Sequence, residues 1–419
     1  MPVTAATSAS GRLAVGGCDL VELADELSTP LFVYDELHLR ARCREAVAAF
    51  GQGVSYGTKA FLCKAMARLA YEEGMSLDVS TGGEMAVALA AGVPAARLVL
   101  HGNNKSETEL AQALAAGVGR IVVDSFDEIR RLAALLRDMP AEAPPARLLV
   151  RVTPGVEAHT HEYVMTGQED TKFGFSLATG AAETALKELR SLPRAVIVGA
   201  HAHVGSQIFR ADVFAREVAV VAPFVREHSL EECCIGGGLG VAYLNDESAP
   251  SLADWATVVR TACAAAGLSP DVRVTAEPGR SIVATAALTL YRIGTLKDLP
   301  GLRTYVAVDG GMSDNPRPVL YESGYEAFLP REPSAERPLS ARVVGKHCES
   351  GDVVVDDARL PADVRVGDVL ATPVTGAYGY SMASNYNRVP RPAVVFVRDG
   401  TARVVLRREN LDDLLRLDA

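Results

Sequence analysis

The chain has 419 residues, with 42 Lys or Arg against 52 Asp or Glu, for a net charge of −10 at pH 7 on a composition that is 48% hydrophobic. At roughly 100 to 200 residues per domain this length predicts two domains, and acidity without a long basic run excludes an extended nucleic-acid surface. No stretch of about 18 uncharged apolar residues occurs and the first residues lack a basic segment followed by an apolar one, so no membrane span or secretory leader is expected and the chain is assigned to the cytoplasm.

The first clear strand is residues 31–34, Leu31-Phe32-Val33-Tyr34. Beyond it one pattern repeats: a short run of Val, Ile and Leu, a loop with Gly or Asp, then an Ala-rich stretch of helical period. The strands fall at residues 54–58, 76–79, 97–101, 120–124, 147–152, 196–203, 231–236 and 271–276. Helical stretches between them cover residues 84–91, 106–116, 126–138, 181–191, 211–227 and 252–266. Eight strands alternating with helices predict right-handed crossovers and a closed (β/α)8 TIM barrel over residues 34–284, with an open doubly wound sheet as the alternative.

After about residue 285 the pattern becomes short alternating strands with turn signals. The clearest is a hairpin, residues 394–397 and 404–406 around Asp399-Gly400. Residues 411–417 read as a short helix. A C-terminal all-β domain, sandwich-like or barrel-like, is therefore expected from residues 1–33 and 285–419, joined by the strand at 31–34. Seven cysteines, Cys18, Cys43, Cys63, Cys233, Cys234, Cys263 and Cys348, show no CxxC pair, which argues against a disulfide framework.

Chemistry in a parallel barrel sits at the carboxyl ends of its strands. The eight ends here hold Lys59; Asp78 and Ser80; His101 and Asn103; Asp124; Arg151; His201 and His203; Gly236-Gly237-Gly238-Leu239-Gly240; and Glu277-Pro278-Gly279-Arg280. A glycine run after the seventh strand suits a phosphate cradle, with Arg280 as a clamp. Lys59 lies among uncharged neighbours, so a partly desolvated amine fit for Schiff-base chemistry is expected there. Cradle and amine together match the needs of pyridoxal 5'-phosphate, with Glu277 as the acid for the pyridine nitrogen and His203 against the ring. The competing reading is a metal-dependent hydrolase that uses His201 and His203, or His159 and His161, with Asp124 or Asp78.

Six segments in order resemble one family: Tyr56-Gly57-Thr58-Lys59-Ala60, His203-Val204-Gly205-Ser206-Gln207, the glycine run, Glu277-Pro278-Gly279-Arg280, Cys348-Glu349-Ser350-Gly351-Asp352 and Gly376-Ala377-Tyr378. They resemble the fold-type III pyridoxal-phosphate decarboxylases, over residues 29–392, and within them the members that turn meso-diaminopimelate into L-lysine and carbon dioxide. The resemblance implies that Lys59 bonds the cofactor, His203 stacks on its ring, and Ser206, Gly237, Gly238, Gly240, Gly279, Arg280 and Tyr378 surround its phosphate. Glu277 would hold the pyridinium proton and Cys348 would return a proton to the substrate carbon.

It also implies an amino-acid substrate and a homodimer in which Cys348 and Glu349 reach the partner's site. Arg280, Arg317, Tyr321 and Tyr378 would meet the distal carboxylate, and Glu349 the distal amine. Members that act on ornithine, lysine or arginine are the alternative, but such substrates give Arg317 no task, and Cys-Asp typically stands where this chain has Cys348-Glu349. His161-Glu162-Tyr163 and Lys172-Phe173-Gly174 add to the likeness, while Lys59-Ala60-Phe61 departs from the usual Lys-Ala-Asn.

Overall fold

The computed structural model describes residues 1–140, 142–156 and 170–419, which fall into two compact units. His159, His161, Glu162 and Tyr163 lie outside the described residues.

The first unit, Cys43–Val241 with Ser248–Ser281, is a parallel barrel. Its eight strands are Ser55–Gly57, Ser76–Val79, Leu98–Leu100, Arg120–Val123, Ala146–Thr153, Ala195–His201, Glu232–Cys234 and Arg273–Thr275, each paired with the next in chain order. Near closure comes from backbone N–H groups of Ser55 and Gly57, which donate to the carbonyls of Ala276 and Pro278 at 2.9 and 3.1 Å. Val99, Val122, Leu149 and Val198 form one buried apolar cluster, each residue from a different strand. Full burial of such a side chain contributes about 1.5–3 kcal/mol, so the aliphatic residues at these positions help hold the ring together.

The helices start where capping residues place them. Thr81, Ser106, Ser125 and Ser251 each accept a backbone N–H from the first turn of the helix that follows. Such caps contribute about 1 kcal/mol apiece and keep the loops at the strand ends short. The helix Phe126–Arg137 buries Ile129, Leu132 and Leu136 along one face. At the end of the third strand the loop is pinned by Lys105, whose ammonium donates to the carbonyls of Gly102 and Val122 and pairs with buried Glu128 at 2.9 Å.

The second unit takes in Met1–Arg42, Ala242–Glu247 and Ile282–Ala419, and is mostly strand. Leu31–Asp35 is inserted between Ala287–Leu299, antiparallel, and Ala393–Arg398, parallel. The strand near the N-terminus thus does join the C-terminal sheet. Ala393–Arg398 and Thr401–Leu406 form the expected hairpin. The unit is not purely strand. Leu20–Leu27, Arg317–Tyr321 and Leu411–Leu415 are helical, and Ala6–Thr7, Leu13–Val15 and Cys18–Asp19 make a small separate sheet. Leu13, Leu20, Leu31, Val33, Leu288, Leu290 and Val395 are among the buried residues of its core.

Candidate active site

Lys59 sits on the single turn Thr58–Ala60 after the first barrel strand. Thr58 and Ala60 are fully buried, while Lys59 between them is exposed. Its charge reaches the strand ends: after burial it adds to the lowering of the His203 pKa, and it opposes the raising of the Asp78 pKa.

Glu277, after the eighth strand, is buried and held from two sides. Its two oxygens accept from His101 Nε2 and His201 Nε2, each at 2.9 Å, and Asp78 lies 3.5 Å from His101. Burial alone would raise the Glu277 pKa, but the two imidazoles, by charge and hydrogen bond, hold it well below the usual carboxylate range. Burial likewise opposes charge on His101, yet Asp78 and Glu277 prevail and raise its pKa. His201 is pushed by burial down to about 4, so at neutral pH it donates from Nε2 as a neutral ring. Asp78 is pushed up to about 6, chiefly by burial.

The hydrolase alternative needed His201 and His203 to converge on one ion. They do not: His201 turns to Glu277, while His203 Nδ1 accepts the Gly237 backbone N–H at 3.1 Å. Asp124 is taken by Arg151 at 3.2 Å and by the Gly174 N–H at 2.8 Å. His101, His201 and Glu277 do present ligand atoms within 4.8 Å of one another. Their 2.9 Å nitrogen-to-oxygen distances are those of direct hydrogen bonds. Ligands of a tetrahedral zinc ion, bound at about 2.0–2.1 Å, stand roughly 3.3 Å apart.

The glycine run joins the loops that follow the sixth, seventh and eighth strands. A Cβ on Gly237 would run into the Glu277 carbonyl, and one on Gly238 into that of Gly205, both far inside van der Waals contact. Gly236 and Gly238 adopt φ of +61° and +111°, and a Cβ on Gly240 or Gly279 would lie 3.0 Å or less from a backbone oxygen. Beside this loop buried Arg280 donates through Nη2 to the Ser206 hydroxyl at 2.9 Å. A bare-backbone loop, an arginine fixed beside it, an ionised carboxylate and a neutral imidazole fit a phosphorylated pyridine aldehyde. Burial and the Lys59 charge keep His203 well below its ordinary pKa, which suits a ring packed against an aromatic face.

The remaining expected residues belong to the second unit. Cys348 lies exposed on a turn, the only exposed one of the seven cysteines. That turn is braced by Asp352, whose carboxylate accepts the N–H groups of Met312 at 2.6 Å and His347 at 2.8 Å. A Cβ on Gly311 would fall 2.5 Å from the same carboxylate. The His347 ring spans Ser313 Oγ at 2.8 Å and Asn387 Oδ1 at 3.1 Å. Exposed Glu349 accepts from the Tyr386 hydroxyl at 3.2 Å. Tyr378 follows Gly376, where a Cβ would collide with the Val283 carbonyl, and itself adopts φ of +59°. Arg317 and Tyr321 are the first and last residues of one short helix, Arg317 buried and Tyr321 half-buried.

The pattern of the pyridoxal-dependent decarboxylases, pyridoxal binding domain, matches residues 36–284. The diaminopimelate decarboxylase of Mycobacterium tuberculosis strain H37Rv is 48% identical over 97% of this chain and 95% of its own length. This chain belongs to the diaminopimelate decarboxylase family. The family member of Bacillus subtilis strain 168 is 44% identical over 97% of this chain and 95% of its own. The crystal structure of the M. jannaschii diaminopimelate decarboxylase with L-lysine superposes with a TM-score of 0.91 at 31% identity, covering 100% of this chain and 99% of that one.

Against the family background, four features have no counterpart in the reading of the motifs. His101 appeared only as one polar strand end, and its pairing with Glu277 needs the third and eighth strands to face each other across the barrel. Asp352 stood inside a motif without a task. His347 and Asn387, 40 positions apart, meet only in the folded chain. Glu217 is fully buried with both carboxylate oxygens unpartnered, and burial raises its pKa well above the ordinary value. Only His101 carried a usable signal, its register with the other strand ends.

Proposed function

We propose that the chain decarboxylates meso-2,6-diaminopimelate to L-lysine and carbon dioxide with pyridoxal 5'-phosphate as cofactor, as a cytoplasmic homodimer. The observation that carries the substrate choice is Arg317. Its guanidinium is 4% exposed, its Nε has no hydrogen-bond partner, and among the described residues no carboxylate pairs with it. A buried cation without a counter-charge is costly, and the distal carboxylate of diaminopimelate would supply one. Ornithine and lysine have no such group.

When bound, the cofactor accepts the electron pair left as carbon dioxide departs. The chain's own residues prepare for that. Lys59 anchors the cofactor through its amine. Arg280, Ser206, Gly237, Gly238, Gly240, Gly279 and Tyr378 hold its phosphate, and His203 packs on its ring. Glu277, kept ionised by His101 and His201, holds a proton on the pyridine nitrogen. Arg317, Arg280, Tyr321 and Tyr378 orient the distal carboxylate, Glu349 takes the distal ammonium, and Cys348 holds the proton destined for the substrate α-carbon. In the homodimer Cys348 and Glu349 serve the partner's site.

The test is carbon dioxide release from meso-diaminopimelate, ornithine, lysine and arginine, with the intact holoenzyme and with Arg317→Ala. Diaminopimelate should be the preferred substrate and should lose at least about 100-fold in kcat/KM on the substitution, as expected for a buried charge pair. Preference for ornithine, or an Arg317→Ala enzyme with undiminished turnover of diaminopimelate, would refute the assignment.

A further inference from the structure

Arg317 is held by an aromatic corner. Its guanidinium carbon lies 4.3 Å from the centre of the Tyr243 ring and 5.9 Å from that of Tyr325. The two rings meet edge to face, 5.3 Å apart at 81°. Nη1 donates to the Tyr325 hydroxyl at 3.2 Å and Nη2 to the Ser323 hydroxyl at 2.9 Å. Tyr243 and Tyr325 are themselves 6% and 4% exposed. Among the described residues every partner of the cation is neutral, so its charge is steadied by a ring face and two hydroxyls while remaining available to an anion.

The arrangement has a directional consequence. A guanidinium presents five N–H donors in one plane, and a ring stacked on that plane fixes its tilt without using a donor. Tyr325 and Ser323 each take one donor, which fixes its rotation. Tyr325 and Ser323 come from the segment just beyond the Arg317–Tyr321 turn. Tyr243 comes from the loop that continues the glycine run, only three residues past Gly240. The same loop that cradles the phosphate in the proposed function therefore also carries the plate on which Arg317 rests.

We propose that Tyr243 and Tyr325 are specificity-positioning residues, which hold the Arg317 guanidinium in the plane and rotation that a distal carboxylate requires. This rests on the reading of Arg317 given above. Truncating the ring leaves the cation buried but unoriented, so binding of the substrate weakens, and with it binding of the product L-lysine, whose one carboxylate is the distal one, while binding of cadaverine, the diamine with no carboxylate, does not.

The experiment compares holoenzymes carrying Tyr243→Leu, Tyr243→Phe, Tyr325→Phe and Arg317→Ala. Each is measured for kcat and KM with meso-diaminopimelate and for the inhibition constant of cadaverine, with cofactor absorbance as the check on folding. Tyr243→Leu should raise KM about 10- to 30-fold, the scale of a desolvated cation–π contact, and leave kcat and the cadaverine constant within about twofold. Tyr243→Phe, which keeps the ring face, should recover most of the loss. Tyr325→Phe, a mild change expected to fold even where the Leu variant does not, should raise KM about three- to tenfold through one lost hydrogen bond. An unchanged KM in Tyr243→Leu and Tyr325→Phe alongside a raised KM in Arg317→Ala overturns this inference alone. Equal losses for diaminopimelate and cadaverine also overturn it. An Arg317→Ala enzyme with unchanged KM overturns the substrate reading and this inference together.

Discussion

Cys348 and the other six cysteines show how burial sorts a single residue type. Burial pushes the thiols of Cys233 and Cys234 up strongly and that of Cys263 to about 11, while Cys348 stands exposed on a turn that Asp352 and His347 hold rigid. A proton donor needs a defined place and access to the reacting carbon, and among these residues only Cys348 has both. Cys348→Ala should lower kcat about 100- to 10,000-fold, the contribution typical of a positioned acid, with KM for diaminopimelate changed by no more than about threefold. Steady-state kinetics on the variant, with cofactor absorbance retained, check this. Labelling with a thiol reagent under native conditions should mark Cys348 before any other cysteine.

At the scale of elements, the N-terminal segment is tied to the helix Glu36–Phe50 by a small polar cluster. Val3 N–H donates to His38 Nδ1 at 3.3 Å, and Thr4 donates to Asp35 Oδ2 through its N–H at 3.0 Å and its hydroxyl at 2.7 Å. Burial lowers the His38 pKa to about 4, against the pull of Asp35 and with the help of Arg42 and the terminal amine. The unfolded chain therefore takes up this proton near pH 6.5 and the folded chain only near 4. Stability from this group is complete above about pH 6.5 and falls as acid is added through that window. Denaturation by urea at pH 7.5 and 4.5 should show His38→Asn losing less stability than the parent, by up to about 2 kcal/mol after solvent screening.

The barrel elements were legible because each is a short β-branched run beside a well-capped helix, so period, cap and loop agree. The eight predicted strands fall within two residues of those observed. The small sheet over Ala6–Thr7, Leu13–Val15 and Cys18–Asp19 escaped notice because strands of two or three residues leave no alternation to detect. The helix Leu20–Leu27 did carry a signal, Asp19 as a cap accepting from Val21 and Glu22, with Leu20, Leu23 and Ala24 on one buried face. At the site, polar residue types at strand ends were readable. Their burial was not: the double hold on Glu277 arises from packing between residues as far apart as 176 positions.

Across the whole molecule the net charge of −10 averages over a surface and says little about one cavity. Diaminopimelate is itself neutral overall near pH 7, so it needs matched local charges rather than long-range attraction. In the proposed function Lys59, Arg280 and Arg317 would offer the cations and Glu277 and Glu349 the anions. If sites are shared between protomers, mixing Lys59→Ala with Cys348→Ala should restore activity. Random exchange between two-fold partners makes half of the dimers mixed, each with one sound site, so recovery should reach about a quarter of the parent activity. No recovery after verified subunit exchange would place both residues of each site on one protomer.

The insertion of Leu31–Asp35 between Ala287–Leu299 and Ala393–Arg398 also bears on how the chain is made. One neighbour of this strand is about 260 residues away in sequence and the other about 360. At about 5–20 residues per second of synthesis, Leu31, Phe32, Val33 and Tyr34 wait on the order of tens of seconds before either edge can be covered. All four are fully buried once that happens. Until then they form an apolar segment of strand-favouring aromatic and aliphatic residues with two open edges, the kind of sequence that pairs with other nascent chains. A ribosome that stalls after residue 281 would release a chain able to complete its barrel yet still displaying this strand, which makes the segment the natural point for a chaperone to engage.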